Sequence, residues 1–260
     1  MMNLEFSYRI LIRKILDSGY VTKGRNGNTI SLFGKNLEFD VGKRFPLITG
    51  RKIYYKGVLG EMAAFLRGPK SVKDFEDWGC NYWKLWGDKD GNLDVDYGNQ
   101  WLDFNGVNQV DKVIEGLKNN PYSRRHIIAA WRPDRLDQLS LPCCHYNYQF
   151  NVSGDKLDLL FSMRSVDVAI GLPSDIVLAG VMLMLFANEV DLIPSKVYMS
   201  FGNAHIYEEH IKTIHEYLET PILSSPTYEF NTKNIYDFKP DDVIVNNYKY
   251  SKKLKFLLKE

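Results

Sequence analysis

The run Leu141-Pro142-Cys143-Cys144-His145 carries the side chains best suited to covalent chemistry in this 260-residue chain. A thiolate is a strong nucleophile, and it forms near neutral pH only beside positive or polar groups. A cysteine next to a histidine after a proline turn is therefore a candidate nucleophile. The competing reading is packing, because free cysteines are among the most buried residues. Arginines shift the balance. Ser123-Arg124-Arg125 precedes one strand-like run, Arg164-Ser165 closes another, and Arg25 sits in a Gly/Asn turn. A guanidinium fork matches phosphate oxygens two at a time, and a serine hydroxyl completes such a site. Each arginine alone reads as a solvated charge, but their placement beside apolar strands points to a phosphate-bearing substrate.

The elements that must position these groups can be read from periodicity. An amphipathic helix is expected over about 3–18, followed by a strand marked by the alternation Ile30/Leu32. Helical spacing continues over about 54–65, where Gly68-Pro69 is the stop signal, and again near 107–118. Strands are expected over 126–131, 145–152, 156–162 and 196–201, with a long apolar helix over about 173–190 between the last two. Helices and strands mix without strict βαβ alternation, so the expected fold is α+β: one domain spanning 1–260, its mixed sheet packed by helices.

Thirty-three basic against 32 acidic residues give a formal charge of +1, which argues against a general nucleic-acid binder. Three cysteines, two of them adjacent, do not make a disulfide framework, so a reducing, cytoplasmic compartment is expected. The N-terminus carries Arg and Lys and does not read as a signal peptide. The apolar stretch Ile176 to Ala187 is short for a membrane span. No Cys/His spacing resembles a zinc site, so no metal is expected. Cys80 and Cys143 are read as buried thiols.

The motifs, taken in order, resemble the thymidylate synthase family over most of the chain. They are Arg25 in the early turn, Glu61 in GEMAAFLRG, Trp83 and Trp86 before DYGNQW, and SRRH at 123–126. Pro142 and the Cys144-His145 pair follow, then MRSVDVAIGLPSD at 163–175 and GNAHIYEEH at 202–210. The resemblance implies a catalytic group of Cys144, Glu61, Tyr97 and His145. Within it Cys144 attacks C6 of a pyrimidine, Glu61 manages proton transfers, and Tyr97 joins a water network. It also implies phosphate binding by Arg25, Arg164 and Ser165, with Arg124 and Arg125 reaching in from a partner subunit. His205 and Tyr207 would hold the sugar hydroxyl. Asp167 would hold the pterin of 5,10-methylenetetrahydrofolate, beside an aromatic wall of Trp83 and Trp86. Arginines shared across an interface imply a homodimer with a sheet face at its centre. Clustered arginines near Cys144 would favour its thiolate.

Two places depart from the family pattern. Where the family has an asparagine after GLP-x, GLPSD has Asp175. An asparagine amide suits uracil, whose N3–H donates and whose O4 accepts. A carboxyl group suits the 4-amino edge of cytosine. Asp175 is thus expected to read a cytosine nucleotide, as in the dCMP hydroxymethylase branch, known from phage. The alternative is that it only caps the following helix. The second departure is the C-terminus, Lys252 to Glu260, which lacks the family's small apolar tail. A looser lid admits water to the reactive one-carbon unit and favours hydroxymethyl over methyl product, unless Phe256, Leu257 and Leu258 close the site in another way. The expected activity is dCMP 5-hydroxymethylation, with thymidylate synthesis, 5-methyl-dCMP formation or a non-catalytic binding paralogue as rivals.

Overall fold

Helix α1 (Leu4–Ser18) begins where Asn3 accepts a hydrogen bond from the Glu5 amide at 2.8 Å. Its buried face carries Tyr8, Leu11, Ile12 and Ile15, the 3.6-residue repeat that the sequence displays. The computed structural model describes residues 3–24, 26–232 and 234–258; Arg25 lies outside the described residues.

After α1 the chain forms an antiparallel pair, β1 (Tyr20–Gly24) and β2 (Gly27–Asp40). The main sheet has the order β1-β2-β6-β5-β4-β3, with β3 (Ile127–Ala129), β4 (His145–Ser153), β5 (Lys156–Asp167) and β6 (Ile193–Tyr207). Strands β5 and β6 are parallel and every other pair is antiparallel, so the sheet is mixed and the fold is α+β. The crossover between the parallel strands is α6 (Gly171–Glu189). By length and composition α6 resembles a membrane span. However, every residue from Ile176 to Ala187 is buried by the rest of the protein, as a core helix must be. Helix α2 (Tyr55–Phe65) packs on α6, and α4 (Tyr97–Leu102) packs on α2. Gly98 permits that second approach: a Cβ there would lie 1.9 Å from the Phe65 carbonyl oxygen. Shorter pieces complete the chain: α3 (Val72–Glu76), α5 (Gln109–Asn119), α7 (Ile211–Leu218) and a hairpin of β7 (Thr227–Phe230) with β8 (Val243–Asn246).

Several elements differ from expectation. The run 126–131 yields only the three-residue β3, because His126 turns its ring back to the Asn120 and Pro121 carbonyls. Strands β5 and β6 run five and six residues past their expected ends. Arg164 and Ser165 therefore lie within a strand. So does the run Gly202 to Tyr207, where a Cβ at Gly202 would lie 2.5 Å from the Arg164 carbonyl oxygen. Helix α7 and the β7–β8 hairpin were not expected.

Candidate active site

The nucleophile loop is fixed from two sides. Arg164 reaches back from β5, with Nε donating to the Cys143 carbonyl at 2.9 Å and a terminal nitrogen donating to the Pro142 carbonyl at 2.8 Å. The same guanidinium stands 4.0 Å from the Cys144 Sγ. From the other side the Cys144 amide donates to the Tyr97 hydroxyl at 2.8 Å. Cys143 is buried, whereas Cys144 is half-buried and opens on a cavity of about 330 Å³. Burial pushes the Cys144 thiol up, Arg164 pulls it down and Asp175 pushes it up again, for a net rise. Arg164 thus acts in the expected direction without offsetting the burial. Within one protomer Arg164 alone of the described arginines lines the cavity, and desolvation outweighs it.

Behind Cys144, His145 is buried with Nδ1 2.5 Å from the Tyr148 hydroxyl, and its ring packs on Tyr97 and Phe161. Burial lowers its pKa to about 3, so the ring is neutral at ordinary pH. Its geometry suits a wall of the cavity and a brace for β4.

Strand alternation brings the polar groups of β5 and β6 to one face. Ser165 lies opposite Asn203 and Asp167 opposite His205 in the parallel register. Ser165, Asp167, His205 and Tyr207 all line the cavity with Cys144 and Arg164. Asn203 Oδ1 is 3.0 Å from His205 Nδ1 and orients that ring. Asp167 commits Oδ1 to the amides of Ala169 and Ile170, at 2.8 and 3.3 Å, and so shapes the turn into α6. Its Oδ2 lies 3.9 Å from His210 Nδ1.

Two carboxyl groups face the thiol from the helices. Glu61, on α2, accepts from the Trp83 indole at 2.7 Å, and burial raises its pKa to about 7. Asp175, in the second turn of α6, accepts no hydrogen bond among the described residues. Burial, then the neighbouring Glu61 and Asp167, push it well above the usual carboxylate range. The capping alternative fails: α6 starts at Gly171 with Ile170 at its N-cap, so Asp175 lies inside the helix, past the position where a side chain caps it. Trp83 and Trp86 adjoin with ring centroids 5.4 Å apart.

A second chamber of about 450 Å³ shares Glu61, Tyr82, Trp86, Asp175 and Leu258 with the first and opens towards Arg51, Lys52 and Phe256. The C-terminal segment frames its mouth. The Lys52 amide donates to the Lys252 carbonyl, His210 Nε2 lies 2.8 Å from the Leu257 carbonyl, and the Arg51 guanidinium covers the Phe256 ring at 4.9 Å. Thus Phe256 and Leu258 line this second chamber.

The chain matches the thymidylate synthase family over residues 6–259. The chain belongs to the thymidylate synthase family. It is 36% identical over 271 aligned positions to the thymidylate synthase of Enterobacteria phage T4, covering 93% of this chain and 95% of that one. It is 33% identical over 252 positions to the thymidylate synthase of Corynebacterium aurimucosum, covering 94% of each. The family consists of one-carbon transferases that act on pyrimidine nucleotides with methylenetetrahydrofolate, and this chain is a one-carbon transferase. The site of this chain has two joined chambers. One holds the thiol and the cationic end, and the other is walled by aromatic rings and basic side chains.

The family motifs thus converge on one cavity: Cys144, Glu61, Tyr97, His145, Trp83, Trp86, Arg164, Ser165, Asp167, Asp175, His205 and Tyr207 all line it. Arg124 and Arg125 do not; both are exposed on the loop before β3. Cys80 and Cys143 are buried free thiols, as expected. Tyr82 and Arg51 line the site without having been singled out. Tyr82 adjoins Trp83 in sequence, which is the only signal that marked it. Among the described residues no group of His, Cys, Asp and Glu is arranged to hold a metal ion.

Proposed function

We propose that this chain is a deoxycytidylate 5-hydroxymethylase working as a homodimer. The observation that carries the reading is Asp175: a carboxyl group that accepts no hydrogen bond among the described residues and faces the same cavity as Cys144. A neutral carboxyl has an O–H that donates to cytosine N3 and a carbonyl oxygen that accepts from the 4-amino group. The raised pKa of Asp175 favours that form. Facing uracil, the ionised form would accept from N3–H but set acceptor against acceptor at O4.

The chemistry follows from the residues present. Cys144 Sγ adds to C6, and the C5=C6 pair moves to C5, which becomes nucleophilic. Methylenetetrahydrofolate supplies a one-carbon unit at the oxidation level of formaldehyde. Glu61, titrating near neutrality, is suited to accept and return protons across the pathway. Arg164 and Ser165 suit the phosphate, and His205 and Tyr207 suit the sugar. The exposure of Arg124 and Arg125, away from their own cavity, supports their donation to a partner's phosphate end. Leu160 and Tyr198, neighbours on the sheet surface and more than a third exposed, suit burial against a second copy. Three free cysteines fit a reducing, cytoplasmic setting.

Tritium release from [5-³H]dCMP and [5-³H]dUMP, with dihydrofolate absorbance followed in parallel, tests the reading. Release from dCMP without dihydrofolate is expected. Release from dUMP with stoichiometric dihydrofolate would replace it with thymidylate synthesis, the second reading, favoured by the names of both relatives. Release from dCMP with dihydrofolate would mean 5-methyl-dCMP.

A further inference from the structure

The hydroxyl of Tyr82 is buried at the junction of the two chambers, close to the Glu61 carboxyl and the Cys80 thiol, yet makes no hydrogen bond of good geometry among the described residues. A stranded buried hydroxyl costs about 1–3 kcal/mol, and a phenylalanine there would avoid the cost. The polar groups nearest it are the Glu61 carboxyl and the Cys80 thiol. Trp83 holds Glu61 through Oε1 alone, leaving Oε2 for another partner. Cys80 is fully buried and its thiol is pushed strongly up by that burial, so it stays a neutral, weak donor. A water needs two to four polar partners to be held, and the Tyr82 hydroxyl with the second Glu61 oxygen makes such a pair.

We propose that Tyr82 and Glu61 hold the water that captures the one-carbon unit at C5, making Tyr82 the positioning residue that selects hydroxymethyl over methyl product. The inference rests on the deoxycytidylate hydroxymethylase reading. After the folate nitrogen has left, the pyrimidine carries an exocyclic C5=CH2 while C6 remains bonded to Cys144 Sγ. The water oxygen bonds to the CH2 carbon, its proton passes to Glu61, and the π pair moves to C5. That pair then reforms C5=C6 and expels Cys144 as thiolate. No oxidant or reductant takes part. The competing route delivers hydride to the same carbon and oxidises tetrahydrofolate to dihydrofolate. Glu61 titrates near pH 7 and can take the proton in that range.

The test compares full-length wild type with Tyr82→Phe, measuring 5-hydroxymethyl-dCMP formed per tritium released from [5-³H]dCMP, together with dihydrofolate and Tm. Wild type should give a ratio near one without dihydrofolate. Y82F should still release tritium, but with the ratio reduced at least about tenfold. The difference should appear as 5-methyl-dCMP with dihydrofolate, or as nucleotide trapped on Cys144. Its Tm should stay within a few degrees of wild type, because a buried hydroxyl without a well-formed hydrogen bond contributes little to stability. An unchanged ratio overturns the role of Tyr82. So does a proportional loss of tritium release and product, or a fall in Tm to the point of unfolding, since either marks the hydroxyl as structural. Dihydrofolate formed by wild type acting on dCMP, or wild-type action on dUMP alone, instead overturns the underlying reading before the variant is consulted.

Discussion

Two acidic side chains, Glu5 and Asp175, are withdrawn from water in opposite ways. Glu5, on α1, is 2% exposed and accepts five hydrogen bonds: from the Thr49 amide and hydroxyl, the Gly50 amide, the Tyr217 hydroxyl and the Arg9 guanidinium. It thereby ties α1 to α7 and to the segment that leads into Arg51. Asp175 sits in a cavity wall with no such donor and two like charges nearby. A buried charge is tolerated when its lone pairs are used. Where they are not, the site is incomplete without a ligand that uses them. The first carboxylate therefore reads as architecture, and the second as recognition.

The sharpest way to break that contrast is to remove chemistry without touching architecture. Cys144→Ala should lower tritium release by on the order of 10⁴ or more, as loss of a covalent nucleophile does. Its Tm should stay within a few degrees of wild type, because a half-buried thiol facing a cavity, with Arg164 at 4.0 Å and Tyr97 beside it, contributes little packing. An alanine variant that keeps its turnover would point to a binding protein or a different nucleophile. Next in size is Asp175→Asn. If Asp175 is a reader of the base, the ratio of kcat/KM for dUMP over dCMP should rise by about 10⁴, the discrimination typical of a mismatched buried hydrogen bond. An unchanged ratio, measured on both nucleotides, would return Asp175 to the scaffold.

The architectural side predicts the reverse pattern. Glu5→Ala leaves Arg9, Tyr217 and the Thr49 and Gly50 amides without their acceptor, and should cost about 3–5 kcal/mol in denaturant unfolding. The preference between dCMP and dUMP should be untouched. A changed preference would show that the brace reaches the base pocket.

How much of this was legible in the sequence follows the same division. The site groups announce themselves by type: Cys144-His145, Arg164-Ser165 and Asp175 in GLPSD are polar or reactive residues set in apolar runs. Those same polar residues hid the true ends of β5 and β6. The apolar runs end near Ser162 and Phe201, but the strands continue through Arg164, Ser165, Asp167 and His205, which line the cavity, and Asn203, which orients His205. Function had overwritten the pattern by which strands are recognised. Glu5 left no trace, because a glutamate in the first turn of a helix looks like an ordinary favourable surface charge. Its five donors come from segments 44 to 212 residues away, or from its own helix, and only the tertiary fold assembles them. Tyr82 was hidden for a related reason: nothing in the sequence distinguishes a paired tyrosine hydroxyl from a stranded one.

The smallest expected effect concerns Glu61, which stands between the two cases with one indole donor and a pKa of about 7 against an ordinary 4.5. Because the folded-state value is raised, the unfolded chain gives up this proton first as pH increases. Glu61 therefore costs nothing below about pH 4, costs progressively more through the interval from 4.5 to 7, and costs its full amount above it. At 1.36 kcal/mol per pKa unit the ceiling is about 3 kcal/mol. Glu61→Gln should match wild type in unfolding free energy near pH 4 and exceed it at about pH 8 by up to that amount, while losing activity. His145 acts with the opposite sign: its pKa, lowered to about 3 from 6.5, makes stability fall as pH drops below 6.5. Both variants carry it, so it cancels in the comparison. Glu5→Gln at the same pH values should show only a loss. If Glu61→Gln also shows only a loss, Glu61 belongs with the braces and not with the groups held in reserve for substrate.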